Sequence, residues 1–287
     1  MAYPVIAAPY GLTPLNLIGG QVFAGSTRMY PIQYGYNTNI FYGDFVKVNT
    51  SAPGGMVQRA AIGATTSSNA FTGIFLGCTY TNPITKQKAF SQFWPASTLA
   101  GDAQAYVTDD PDTVFKAVVC SSGVIVASGS KAMVGNNLSM IDNGAVASSL
   151  STGNSANAVL APTSTPVTSI LPVRCVGLVD ETSYSASAIG SSTSTTITLS
   201  APGTPIALPI GTSVAYLAPN GQVIETGSFV TGAVIAGGTS VALNVQPNVL
   251  GSATNIPANS TIIFTVYPEI LVKPNLLSHG YYSSTTA

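Results

Sequence analysis

The period of the apolar residues constrains the fold of this chain more than any other feature. Apolar and polar side chains alternate in many short segments, and no long segment repeats apolar residues every 3.6 positions. Such alternation, with Gly, Pro, Asn and Asp between the segments, is typical of β-strands. The clearest candidate strands lie within 72–80, 102–110, 195–201, 240–247 and 260–273. The sequence therefore predicts an all-β fold, with 131–141 as its one weak helix candidate.

The first twenty residues, MAYPVIAAPYGLTPLNLIGG, are apolar but carry proline at every fifth position. Proline lacks a backbone N–H and fixes φ, which excludes both a helix and a central strand. We also expect the segment to be neither a secretory signal nor a membrane span, since both need an unbroken apolar run. We therefore predict an extended arm over residues 1–19 that docks on another molecule. The residues expected to make this contact are Tyr3, Pro4, Val5, Ile6, Pro9, Tyr10, Leu12, Pro14, Leu15, Leu17 and Ile18.

Charge is scarce in this chain. Charged residues make up 7% of it, against roughly 25% in an ordinary soluble domain. Nine basic and ten acidic residues leave a net charge of −1, so no nucleic-acid partner is expected. Mean hydropathy is +0.38, yet no window holds eighteen uninterrupted apolar residues, so no membrane partner is expected either. A neutral surface of this kind favours association with copies of itself or with another protein.

The three cysteines, Cys78, Cys120 and Cys175, are odd in number and far apart. This spacing supports neither a disulfide framework nor a metal site. We expect all three to be reduced, buried and small apolar core residues, which suits assembly inside a cell.

Composition changes twice along the chain. Residues 1–120 hold most of the aromatic side chains, whereas 183–265 is rich in Ser, Thr, Gly and Ala and carries one charge, Glu225. We predict a β-barrel-like domain from 20–182 plus 266–280, with 183–265 inserted as a small β-sandwich or barrel, and a tail at 281–287. Within the insert, the Asn-Gly pair at 220–221 is a strong hairpin signal.

Candidate catalytic groups are few. The single histidine, His279, lies near the C-terminus among polar residues, which disfavours a catalytic triad. Asp109, Asp110 and Asp112 form an acidic group that could bind Ca²⁺ or serve as glycosidase carboxylates. Their D-D-P-D sequence between two strand-like segments is more typical of a turn. The glycine pairs match no nucleotide-binding motif, so we expect no enzyme, no cofactor and no metal.

The aromatic segment KAFSQFWPA has two interpretations. Phe90, Phe93 and Trp94 could form a stacking platform for sugars or bases. We favour a core strand followed by a proline-capped corner, because large aromatic side chains are mostly buried. Three tyrosines upstream could line a contact surface: Tyr34, Tyr36 and Tyr42.

Several blocks, in order, resemble virion structural proteins of marine tailed bacteriophages. They are APYGLTPLNLIGGQVFAGSTRMYPI, IFYGDFVKV, GIFLGCTYTNPITKQKAFSQFWPA, GDAQAYVTDDPDTVFKA, VRCVGLVDE and EILVKPN. The progression from Y-G-D-x-V-K-V to G-x-F-L-G is also similar to small phage head decoration proteins with a β-tulip-like barrel. The resemblance covers residues 1–182 and about 266–280, and the insert at 183–265 departs from it.

This resemblance implies a capsid decoration (cement) protein without catalytic residues. Such a protein binds the outer surface of the major capsid protein lattice and stabilises the shell against internal genome pressure. The resemblance implies a homotrimer, a location on the outside of the virion head, and synthesis in the cytoplasm of the bacterial host. The alternative is a host-receptor or carbohydrate-binding fibre or head protein, which the Ser/Thr-rich insert and KAFSQFWPA motivate. Copy number per virion would separate the two.

Overall fold

The computed structural model describes residues 6–49, 54–62, 71–143, 148–161, 171–205, 208, 210–245 and 255–275. This part of the chain contains β-strands, two single 3₁₀ turns and no α-helix. The strands are β1 (Thr13–Leu17), β2 (Arg28–Pro31), β3 (Phe45–Val48), β4 (Val57–Arg59), β5 (Gly73–Thr81), β6 (Lys88–Ser91), β7 (Gln104–Thr108), β8 (Thr113–Ser122), β9 (Ile125–Val126), β10 (Asn137–Leu138), β11 (Met140–Ile141), β12 (Ala158–Leu160), β13 (Val173–Leu178), β14 (Tyr184–Thr193), β15 (Thr196–Leu199), β16 (Ser213–Leu217), β17 (Val223–Phe229), β18 (Ser240–Ala242), β19 (Ser260–Val266) and β20 (Glu269–Pro274). The predicted all-β fold is confirmed.

The first sheet, which we call the barrel sheet, follows the order β10-β13-β20-β8-β12-β11, and β1 and β9 also pair with β8. Its two end strands, β10 and β11, are separated in sequence by Ser139 alone. The sheet therefore curves until its ends meet, which makes it barrel-like. Phe115 and Val119 of β8 point inward with Ile270 of β20 to form the barrel core.

The second sheet, the N-terminal sheet, has the order β2-β7-β5-β3-β4, with β6 paired to β5. One face carries its own core, in which Phe75, Trp94 and Val107 are fully buried. On the opposite face, Phe45 and Ile74 join the barrel core. The N-terminal sheet thus packs against the barrel over part of one face only.

The third sheet, the module sheet, runs β17-β16-β19-β14-β15-β18 and spans Tyr184–Val266. It has a separate core that includes Val214, Ile262 and Phe264. The Asn-Gly hairpin is confirmed, since the Ala218 N–H donates to the Gln222 carbonyl at 2.9 Å between β16 and β17. Beyond Pro268 the chain enters β20, so the apolar segment 260–273 supplies one strand to each of two sheets.

The helix expected at 131–141 is wrong. Lys131–Met133 forms one 3₁₀ turn, after which the chain enters the short strands β10 and β11. Gly135 has a φ of +87°, and its N–H donates to the Cys175 carbonyl at 2.9 Å. The segment therefore satisfies its backbone groups by pairing with β13 instead of coiling upon itself.

The three cysteines are buried and free, as the sequence predicts. Burial raises the pKa of the Cys78 thiol to about 12 and those of Cys120 and Cys175 to about 11. Because the thiolate is the reactive form, we expect iodoacetamide at about pH 8 to label the folded protein far more slowly than the denatured protein. Labelling followed by mass spectrometry measures this rate. Native labelling as fast as that of free cysteine would contradict the prediction.

Candidate functional site

The N-terminal segment, for which the sequence predicts contact with another molecule, begins against its own chain. Ile6 and Tyr10 pack on a small cluster on the outside of the barrel, formed by Val118, Cys120 and Ala158. Pro9, between them in sequence, is also buried. Tyr3, Pro4 and Val5 lie outside the described residues. The segment from residue 6 to residue 10 is thus attached to the barrel within one protomer.

Leu12 is fully buried in the barrel core. Its N–H donates to the Gly43 carbonyl at 3.2 Å, and a Cβ at Gly43 would lie only 2.6 Å from that nitrogen. Gly11 and Gly43 both have positive φ, so this close crossing of two backbones requires glycine. The expected contact of Leu12 with a partner is therefore wrong, because its side chain completes the core of its own domain.

Residues 13–17 form strand β1, which pairs antiparallel with β8. Pro14 is tolerated because β1 lies at the edge of the barrel sheet and the register shifts between Pro14 and Asn16. The extended arm predicted over 1–19 therefore needs correction at its C-terminal end, which is a strand of the chain's own sheet. Pro14 and Leu17 are half-buried there.

Three apolar side chains of this region remain in solvent: Leu15 is 51% exposed, Ile18 50% and Val22 81%. A tight turn brings Val22 back beside the strand, since the Leu17 N–H donates to the Gln21 carbonyl at 2.8 Å. Asn16 and Val22 also form a β-bridge. We call Leu15, Ile18 and Val22 the apolar edge, and it is the candidate contact site.

Tyr10 ties this region to the barrel sheet through a buried carboxylate. Its hydroxyl donates to Oε1 of Glu269, and Lys116 Nζ lies 3.4 Å from the same oxygen. Burial, followed by the hydrogen bond and the charge of Glu269, raises the pKa of Tyr10 well above its usual range. Tyr10 thus remains a protonated donor at physiological pH.

A buried polar network, which the sequence did not indicate, joins the N-terminal sheet to the loop before β12. Asp44 accepts hydrogen bonds from the Phe41 N–H at 2.9 Å, Ser155 Oγ at 2.5 Å and Asn157 Nδ2 at 3.0 Å. Arg59 Nε lies 3.4 Å from the Asp44 carboxylate, and its guanidinium also pairs with Asp142. Burial raises the pKa of Asp44, against the opposing effects of Arg59, Ser155 and the Phe41 N–H. An aspartate inside the apolar segment IFYGDFVKV was its only signal in the sequence.

The acidic group at 109–112 forms the turn between β7 and β8, as predicted. The Asp112 N–H donates to Asp110 Oδ1 at 2.9 Å. Asp109 pairs with Arg28 at 3.2 Å, and Asp112 with Lys273 at 3.3 Å. Within the described ranges, no three His, Cys, Asp or Glu side chains are grouped so that they could hold a metal ion. His279 lies outside those ranges.

The aromatic segment divides between core and surface. Trp94 is fully buried, so the core interpretation is confirmed for it, and Phe93 stacks on Phe41 with centroids 5.6 Å apart. For Phe90 that interpretation is wrong, because its side chain is 77% exposed. Phe90 borders an open groove of about 470 Å³, which we call the aromatic groove. The groove is lined by Tyr42, Leu76, Gly77, Cys78, Phe90, Ser91, Gln92 and Tyr106.

Comparisons with protein-family models, with curated proteins and with solved structures found no match for this chain. In the described part of the chain, no helix has the length and apolar character needed to cross a membrane.

Proposed function

We propose that this protein is a phage capsid decoration (cement) protein that binds the outer surface of the major capsid protein lattice. The observation that carries the proposal is the apolar edge, three exposed apolar side chains on an edge strand and its tight turn. Edge strands with exposed apolar side chains favour pairing with another chain, and soluble proteins normally protect them. Here the side chains of Leu15, Ile18 and Val22 remain in solvent, as expected of a binding surface.

The anchoring of the segment suits a mechanical role. A cement protein must transmit tension between capsomers without local unfolding of its attachment point. The apolar edge is joined to the barrel by the β1–β8 ladder, by the buried Leu12 and by the Tyr10–Glu269 hydrogen bond. Tension on the edge would therefore act on the barrel core and not on a loosely attached tail.

The distribution of charge also supports attachment to a protein lattice. Five of the nine cations are held in ion pairs within the described part, among them those of Arg28–Asp109, Lys88–Asp102 and Lys273–Asp112. The net charge of −1 leaves little overall repulsion between neighbouring copies and little attraction for nucleic acid. We include in the proposal a homotrimer that contacts the major capsid protein, on the outside of the virion head.

When many copies attach to one shell, the contact made by each apolar edge can be weak. Apolar burial contributes about 25 cal/mol per Å², so three side chains supply a few kcal/mol per edge at most. Contacts of one oligomer with several capsomers act together and raise the overall affinity.

Cryo-electron microscopy of virions, with recombinant protein rebound to heads that lack it, tests the proposal. We expect ordered density over the capsid lattice, and a strong loss of occupancy for Leu15→Asp combined with Ile18→Asp. Ile235→Asp, which changes an exposed apolar side chain in the loop before β18, outside the apolar edge, is the control and should bind normally. Density only at the tail or on sparse fibres would overturn the proposal in favour of host recognition.

A further inference from the structure

The aromatic groove lies where the N-terminal sheet extends beyond the barrel. Leu76 lines the groove and also packs against the barrel core, so the groove begins where that core ends. In the strand ladder, Gly77 lies opposite Tyr106, and Thr79 lies opposite Phe90. Opposite residues of antiparallel strands place their side chains on the same face, and so do alternate residues of one strand, such as Gly77 and Thr79. Phe90 and Tyr106 therefore rise from one face of the sheet, on either side of Gly77.

Gly77 keeps the floor of this groove open. Its φ is +141°, and a Cβ there would lie 3.0 Å from the Ser91 carbonyl oxygen. A side chain at this position would be strained and would also fill the space between the two rings. The β-bulge between Phe75 and Gly77 creates this conformation in the middle of a nine-residue strand.

The Phe90 side chain belongs to none of the hydrophobic clusters that the described residues form. The N-terminal core lies on the other face, where Cys78 and Ala105 are buried. Phe90 is 77% exposed on the edge strand β6. An exposed aromatic ring that borders an open groove is the arrangement expected of a ligand surface.

The chemistry of the lining selects the class of ligand. It offers three aromatic rings, from Tyr42, Phe90 and Tyr106, and no charged side chain. Phosphates, carboxylates and ammonium groups would therefore lack a counter-charge. The tyrosine hydroxyls and the Gln92 amide can each donate and accept hydrogen bonds, as sugar hydroxyls do. Flat rings suit the apolar faces of pyranose sugars.

We propose that this groove binds a neutral carbohydrate, with Phe90 and Tyr106 as stacking surfaces and Gln92 as a hydrogen-bonding group. Gln92 is held in place by its bond from Nε2 to Asn154 Oδ1, at 2.6 Å. The loop around Asn154 is in turn held by hydrogen bonds to the Tyr42 backbone. The polar side of the groove is thus pre-organised, which lowers the entropic cost of binding. This site is independent of the capsid role, because the apolar edge contributes none of its residues.

Titration of the full-length protein with lactose, maltotriose and cellotriose, followed by saturation-transfer NMR and calorimetry, tests the proposal. We expect at least one of these neutral sugars to bind with a Kd in the range of about 0.1–10 mM, which is typical of a shallow open site with few contacts. Phe90→Ala should weaken that binding roughly tenfold, the loss expected for one stacking ring. Ile84→Ala is the matched control, since Ile84 is an exposed apolar residue in the same β5–β6 hairpin but outside the groove.

Two results would overturn the proposal. One is the absence of binding by all three sugars at about 10 mM to correctly folded protein, as judged by circular dichroism. The other is sugar binding that Phe90→Ala and Tyr106→Ala leave unchanged. Concentration-dependent self-association that Phe90→Ala abolishes, without any sugar binding, would assign the groove to a second copy of the chain instead.

Discussion

Replacing Asp44 with alanine is expected to lower the free energy of unfolding by about 3 kcal/mol. The variant leaves the buried Arg59 with Asp142 as its only described carboxylate partner, and it removes the acceptor for Ser155 and Asn157. Removing one member of a buried ion pair is costly because the remaining charge stays in a poorly solvating environment. Urea unfolding followed by Trp94 fluorescence measures the effect where it arises, since this single tryptophan lies in the N-terminal core.

Asp112→Ala is the control for this prediction. Asp112 pairs with Lys273, but its side chain is 60% exposed, so water replaces the lost contact. We expect its loss to change stability by less than about 1 kcal/mol. Equal effects of the two alanine variants would show that the Asp44 network is not a structural element of the fold.

Replacing Trp94 with alanine is expected to cost about 4 kcal/mol, the range for emptying a large buried aromatic site. Trp94 is fully buried, meets Tyr80 edge to face with centroids 5.5 Å apart, and donates from Nε1 to the Tyr36 carbonyl at 3.3 Å. The variant leaves a cavity and a carbonyl without this donor. Because the change removes the fluorescent probe, hydrogen exchange of β5 and β7 amides is the appropriate measurement.

Phe90→Ala supplies the comparison within the same segment, four residues away. Its ring is exposed, so we expect a change in stability within about 0.5 kcal/mol. If Phe90→Ala destabilised the protein as much as Trp94→Ala, the assignment of Phe90 to a surface groove would be wrong. The pair therefore tests the division of this segment into a core residue and a ligand-facing residue.

The local pattern of the sequence was sufficient to predict the class of the fold. Alternation over segments such as 260–273 predicts strands, and Asn220-Gly221 predicts a hairpin, because both depend on neighbouring residues. The helix expected at 131–141 failed because Gly135 and Asn136 find hydrogen-bond partners on β13, distant in sequence. A short segment without strong local preference adopts the structure that its tertiary partners impose.

The N-terminal segment also combines a feature that its sequence predicts with one that depends on tertiary partners. Its prolines correctly exclude a central strand, since Pro14 lies in an edge strand beside a bulge. Apolar character alone could not distinguish Leu12, buried in its own core, from Leu15 and Ile18 in solvent. That distinction depends on β8, which pairs with β1 from about a hundred residues away.

The sequence by itself determined that this protein is all-β, poor in charge, and supplied with reduced buried cysteines, because these properties follow from composition and short-range periodicity. Only the tertiary structure decided which apolar residues face solvent and which charges are buried together. Asp44, directly before β3, meets Arg59 at the end of the adjacent strand β4, while Ser155 and Asn157 approach from a distant loop. Phe90 and Tyr106 face one groove through the register of three strands. Such placements depend on strand pairing between distant segments, which no local pattern encodes.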